Sequence, residues 1–123
     1  MSKRRVVITG LGMLSPVGNS VPDSWKNILK GTSGVADITK FDTEGFETKF
    51  AATVNFDPEN YLDKKDIRRV DEFIQFGLIA SDECIKDSGL NLEKEDLNRI
   101  GVSIGSGIGG LGTIEDNKIT LQN

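Results

Sequence analysis

The sequence predicts an α/β chain in which buried strands alternate with helices. Three segments carry that expectation. Val6-Val7-Ile8 is a β-branched run, apolar on both faces and closed by Gly10, which suits a strand in a sheet covered on both sides. Residues 64 to 88 carry an apolar face at 3.6-residue spacing through Val70, Phe73, Ile74, Gly77, Leu78, Ser81, Cys84 and Ile85, the mark of a helix. Arg99-Ile-Gly-Val-Ser-Ile-Gly105 reads as a second buried strand. Strands alternating with helices argue for a sheet with a parallel component.

The elements follow in order. After the first strand, Gly10 to Gly18 is a loop. A helix then opens at Ser20, with Asp23 at capping-box spacing and Pro22 in the first turn. Its apolar positions are Val21, Trp25, Ile28 and Leu29, and Gly31 stops it. Residues 31 to 60 show no sustained period. Phe41, Phe46, Phe50 and Phe56 are anchors in a stretch of loops with one extended piece over 50 to 54. Asp57-Pro-Glu opens a brief helical turn. The long helix runs from Lys64 to Ser88 and ends at Gly89. An acidic turn of helix is expected from Leu92 to Leu97. Beyond the second strand, Gly105 to Gly110 is a loop of small residues, and a last helix starts near Leu111 with Ile114, Ile119 and Leu121 as its apolar positions.

Composition narrows the function. The 123 residues include 15 basic and 19 acidic side chains, a formal charge of -4, which argues against a dedicated nucleic-acid binder. Histidine is absent, removing the commonest general base and metal ligand. The single cysteine, Cys84, excludes an internal disulfide and a cysteine-rich zinc site. No metal or cofactor is expected. No segment approaches the ~20 apolar residues of a membrane span, and the basic start lacks the apolar stretch of a signal peptide. The expectation is a cytoplasmic protein.

Four features are candidates for chemistry. Gly10-x-Gly12 begins like a dinucleotide fingerprint, but Ser15 stands where the third glycine belongs, so a structural strand-to-helix loop is the favoured reading. Gly105 to Gly110 lacks the Lys-Ser/Thr ending of a phosphate loop. Within it Ile108 is an apolar residue isolated among small ones, either a pocket wall or an ordinary packing residue. Cys84 lies mid-helix beside Ile85, where a free cysteine is commonly a small buried hydrophobe and not a nucleophile. Lys65, Arg68 and Arg69 share a helical face at i, i+3 and i+4. They form a site for a phosphate or an acidic partner, or a solvated surface partly offset by Asp66, Asp71 and Glu72.

Taken together these segments resemble a known family. Ser2 to Asn19, Phe41-Asp-Thr, Thr48-Lys-Phe-Ala51, Phe73-Ile-Gln-Phe-Gly77, Asp87-Ser-Gly-Leu90 and especially Arg99 to Gly112 are similar to the bacterial β-ketoacyl-acyl-carrier-protein synthases of type II. The resemblance implies a thiolase-like layered fold with mixed sheet and packed helices. It implies homodimers that elongate fatty acids, using acyl carrier protein and malonyl carrier protein as partners, with a cysteine nucleophile and two histidines. Residues 1 to 123 are then expected to be a partial amino-terminal synthase domain that stops before that cysteine. Cys84 does not match the nucleophile motif, so no catalytic residue carries over. Ile108 matches the position lining the acyl-chain pocket, and Lys65, Arg68 and Arg69 match the basic patch that receives the carrier. A polyketide-type condensing enzyme or a noncatalytic partner subunit of similar fold is the competing expectation.

Overall fold

The computed structural model describes residues 3 to 122. Met1, Ser2 and Asn123, of which Ser2 opens the first motif, lie outside the described residues. The elements are helix α1 (Val21–Leu29), strands β1 (Val35–Asp37) and β2 (Phe50–Ala52), helices α2 (Lys64–Ile67) and α3 (Glu72–Ser88), and helix α4 (Leu111–Gln122). Short 3₁₀ turns occupy Pro58–Asn60 and Leu97–Arg99.

Helix α1 forms as its sequence dictates. Ser20 is extended and its hydroxyl accepts from the Asp23 N–H at 3.2 Å, satisfying one of the donors a helix start leaves open. The Ser20 hydroxyl in turn donates to the Asp23 carboxylate at 3.0 Å. Past the last turn Gly31 takes φ +69°, where a side chain is strained. At Asp57 the carboxylate accepts from the Glu59 N–H at 3.0 Å, which builds the expected turn at Pro58.

The extended piece expected from residue 50 is β2, and it pairs antiparallel with β1, Val35 opposite Ala52 and Asp37 opposite Phe50. Strand β1 carries no strong sequence signal. The irregular region is tied down by the Phe56–Phe76 edge-to-face pair, with centroids 5.1 Å apart, and by Lys40, whose ammonium lies 3.2 Å from both Glu72 carboxylate oxygens.

Several expected elements differ. Val6 to Ile8 and residues 99 to 105 belong to no sheet. They lie open, Val6 at 90% and Val102 at 82% exposure, because no described strand runs beside them to accept their hydrogen bonds. The two-stranded sheet that does form is antiparallel. The helix expected across 64 to 88 is broken. Asp71 is extended at ψ 158°, and residues 68 to 71 turn the chain between α2 and α3. Gln75 locks that turn by donating from Nε2 to the Ile67 and Val70 carbonyls at 3.3 and 3.1 Å. Gln75 and Ile79 are the buried residues of α3, whereas Phe73, Ile74, Leu78 and Ile85 of the expected apolar face stay partly open. Gly89 ends α3 at φ +66° as expected. The acidic turn of helix expected from Leu92 to Leu97 does not form; a 3₁₀ turn lies instead at Leu97–Arg99, with Asp96 as its cap.

A compact monomer of this mass exposes roughly 6,500 Å². The chain, at 13.4 kDa, exposes 10650 Å², and Ile79 alone among its described hydrophobic residues is buried. No helix among the described residues is long and apolar enough to cross a membrane.

Candidate functional site

Helix α3 is the frame of the site. On it, Glu83 and Asp87 reach back to the first glycine loop. The Glu83 carboxylate accepts from the Met13 N–H and, with its other oxygen, from the Val21 N–H, both at 2.8 Å. Asp87 accepts from the Leu11 N–H at 2.9 Å. One carboxylate thus satisfies a loop donor and a donor at the start of α1, which an anion at a helix N-terminus does favourably. Cys84 points at the same loop, its thiol 3.4 Å from the Gly10 carbonyl. It is half-buried packing, in keeping with its reading as a small hydrophobe. Inside the loop, the buried Ser24 hydroxyl lies 2.9 Å from that of Ser15 and donates to the Gly18 carbonyl at 3.0 Å.

The expected site residues fall in two places. Ile108 is 79% exposed and borders an open cavity of about 490 Å³ shared with Asp71, Phe73, Phe76, Leu111 and Thr113. Next to it lies a more apolar cleft of about 590 Å³ between Gly12–Leu14, the Phe73–Ala80 face of α3 and Ile104–Ser106. Lys65 lies on α2, with Arg68 at its C-terminal cap and Arg69 one residue further. All three are exposed, and among the described residues none is in an ion pair, whereas Lys64 is bound to Glu59 at 3.2 Å. The single helical face expected for the three does not form, because α2 ends at Ile67 and Arg69 lies beyond its cap; backbone bonds from the Arg68 N–H to Lys64 and from the Arg69 N–H to Asp66 close the turn. None of the three borders the Ile108 cavity. The link between patch and cavity is the short Val70–Asp71 connection.

No group of acidic, cysteine or histidine side chains among the described residues is arranged to hold a metal. Sequence reasoning passed over Asp71, Glu83 and Asp87. The acids at 83 and 87 stand one helical turn apart, but nothing in their local sequence says that backbone donors lie opposite.

Comparison with known proteins decides the family. The family model described as the amino-terminal domain of β-ketoacyl synthase matches residues 3 to 123. The chain belongs to the β-ketoacyl synthase family. Among its relatives, the 3-oxoacyl-[acyl-carrier-protein] synthase 2 of Vibrio cholerae is 58% identical over 116 residues, 94% of this chain and 28% of that protein. The protein of the same name from Coxiella burnetii is 52% identical over 118 residues, 95% of the chain. That from Staphylococcus aureus strain COL is 48% identical over 113 residues. The chain thus spans just over a quarter of the length of the curated relatives it matches. Of solved structures, the ishigamide ketosynthase/chain length factor superposes with a TM-score of 0.67 at 32% identity, covering 75% of this chain and 23% of that one. The fold is the α/β, mixed-sheet arrangement of the amino-terminal part of a thiolase-like ketosynthase.

Proposed function

We propose that this β-ketoacyl synthase chain is part of an enzyme that elongates fatty acids by decarboxylative Claisen condensation. In that reading an acyl group passes from acyl carrier protein to an enzyme cysteine. Malonyl carrier protein then loses carbon dioxide, and the resulting carbanion attacks the thioester. The observation that carries the reading is the 58% identity to a 3-oxoacyl-[acyl-carrier-protein] synthase 2 across 94% of the chain.

The chain's own contribution is recognition. Ile108 limits the acyl tunnel, and Lys65, Arg68 and Arg69 receive the acidic carrier protein. Their exposure, and the lack of an ion pair to any of them among the described residues, leave these cations available to an anionic surface. Residues 1 to 123 form part of the amino-terminal synthase domain and supply no catalytic residue, since they hold no histidine and Cys84 is engaged with Gly10. The whole enzyme works as a cytoplasmic homodimer without a cofactor.

The likeness to a ketosynthase/chain length factor supports a second reading, a polyketide-type enzyme or a noncatalytic partner subunit. One assay separates them. The full-length protein, given acyl and malonyl carrier proteins, is expected to yield ketoacyl carrier protein. Residues 1 to 123 alone are expected to yield nothing above a protein-free control. A full-length chain without the family's cysteine, and without product, would establish the partner subunit instead.

A further inference from the structure

Residues 101 to 122 are exposed throughout, except at Gly109 and Gly110. Those two glycines mark where the segment is held. A Cβ built on Gly109 would stand 2.6 Å from three atoms of the Phe73 ring, so the ring lies flush on that backbone. Gly110, at φ +66°, has the Asp71 carboxylate against it. Asp71 caps α3 through its backbone, accepting from the Ile74 and Gln75 N–H groups, yet its side chain makes no capping bond. That carboxylate is turned outward and accepts from the Thr113 hydroxyl in the first turn of α4. By contrast, a Cβ at Gly105 or Gly107 would meet nothing within 4 Å. Among the described residues Ile108 is therefore placed by the Gly109–Gly110 anchor that follows it and not by packing of its own side chain.

We propose that Phe73 and Asp71 are positioning residues that clamp the Gly109–Gly110 backbone and thereby set the acyl-chain length that Ile108 admits. This rests on the reading of Ile108 as the wall of an acyl tunnel. Phe73 fixes the distance of the loop from α3. Asp71, through Thr113, fixes the start of α4 and so the direction in which the loop leaves. Shrinking the ring or removing the Thr113 hydroxyl lets the loop drift and moves the wall.

The test uses the full-length enzyme, with kcat and KM measured across a primer-length series. The variants are Ile108→Phe, Phe73→Leu and Thr113→Val, the last at an exposed position where folding is retained. Each of the two clamp variants is expected to change the long-to-short kcat/KM ratio by roughly 5-fold or more. The change should vanish when either is combined with Ile108→Ala. Separately, Gly109→Ala should lower the melting temperature and Gly109→Ala/Phe73→Ala should recover it, because the smaller side chain makes room for the new methyl. An unchanged length profile in Ile108→Phe would remove the tunnel reading, and the clamp's role with it. A shifted profile there, with wild-type profiles in both clamp variants, overturns the clamp alone. So does an equal loss at every length, a shift that persists in the Ile108→Ala background, or no recovery in the double glycine variant.

Discussion

The glycines of residues 10 to 18 and those of residues 105 to 110 serve different ends. In the first loop the backbone runs against α3. A Cβ on Gly12 would collide with the Ala80 carbonyl and stand 2.9 Å from the Cys84 nitrogen, and one on Gly10 would lie 2.7 Å from the Ser88 nitrogen. The neighbours there are helix backbone, which cannot move aside. In the second loop only Gly109 and Gly110 have close neighbours for an added Cβ, the Phe73 and Asp71 side chains, and Gly105 and Gly107 have none. The first loop also has its N–H groups taken by Glu83 and Asp87. One glycine loop is thus welded to the frame and the other is hinged on it. The chain-length wall proposed at Ile108 falls on the hinged one, where a side-chain change can move it without unfolding its support.

The largest effect that can break this comparison is Gly12→Ala. Forcing a methyl into the α3 backbone is expected to cost about 3 kcal/mol or more, at or beyond the upper end of overpacking penalties. Gly107→Ala, which meets open space, should stay within about 0.5 kcal/mol. Denaturant unfolding of the full-length protein measures both, and equal costs would mean that the first loop is not pressed on the helix. Next in size is Ile108→Phe. On the proposed tunnel role, overfilling by about 1–3 kcal/mol should lower the rate on long primers roughly 5- to 150-fold. Short primers, which do not reach the wall, should react nearly as in the wild type. A uniform loss across lengths, with a lower melting temperature, would make Ile108 a plain packing residue.

Local signals predicted what local chemistry controls. Ser20 before Val21, the Asp57-Pro58 pair, and the glycines after α1 and α3 all mark element ends by their own hydrogen bonds or φ angles, and each appears in the structure. The strands over Val6–Ile8 and Arg99–Gly105 depend on a neighbour. A β-branched run says that a residue fits a pleated surface, not which strand pairs with it, and none of the described strands does. The break at Arg68–Asp71 was hidden for a related reason. The apolar period continues through it, and the departure from helix shows only in the structure, in the extended Asp71 backbone and the Gln75 amide bonded to Ile67 and Val70. For the candidate site, the isolation of Ile108 and the clustering of Lys65, Arg68 and Arg69 were legible, because spacing alone reveals them. The acceptor roles of Asp71, Glu83 and Asp87 were not, since their partners lie 42 to 76 residues away.

A smaller effect sharpens the contrast at the welded loop. Glu83→Ala removes the acceptor of both the Met13 and Val21 N–H groups. Both sites are partly open to water, which replaces some of what is lost, so the expected cost is about 1 kcal/mol. Amide exchange at Met13 and Val21 should quicken, whereas that at Ile108, already exposed, should not change. Faster exchange at all three would mean that Glu83 supports the whole chain and not one loop.

The smallest effect per residue concerns the basic patch, joined to the hinge by Val70 and Asp71. Lys65, Arg68 and Arg69 are exposed, so on the proposed docking role each contact to a carrier protein would be worth only ~0.2–1 kcal/mol. Long-range steering adds to that, and it weakens as salt screens the charges. Reversing two cations is the better probe. Arg68→Glu/Arg69→Glu in the full-length enzyme should weaken carrier binding and flatten its salt dependence, because attraction to an acidic surface is what salt suppresses. The kcat/KM for acyl carrier protein should fall with binding, while the ratio between long and short primers on saturating carrier stays put. That last measurement ties the patch back to the two loops. If the charge reversal alters length selectivity, strain at residues 68 to 71 is reaching the clamp, and patch and hinge act as one device. If neither carrier affinity nor its salt dependence changes, the three cations are a solvated surface and the docking role is lost.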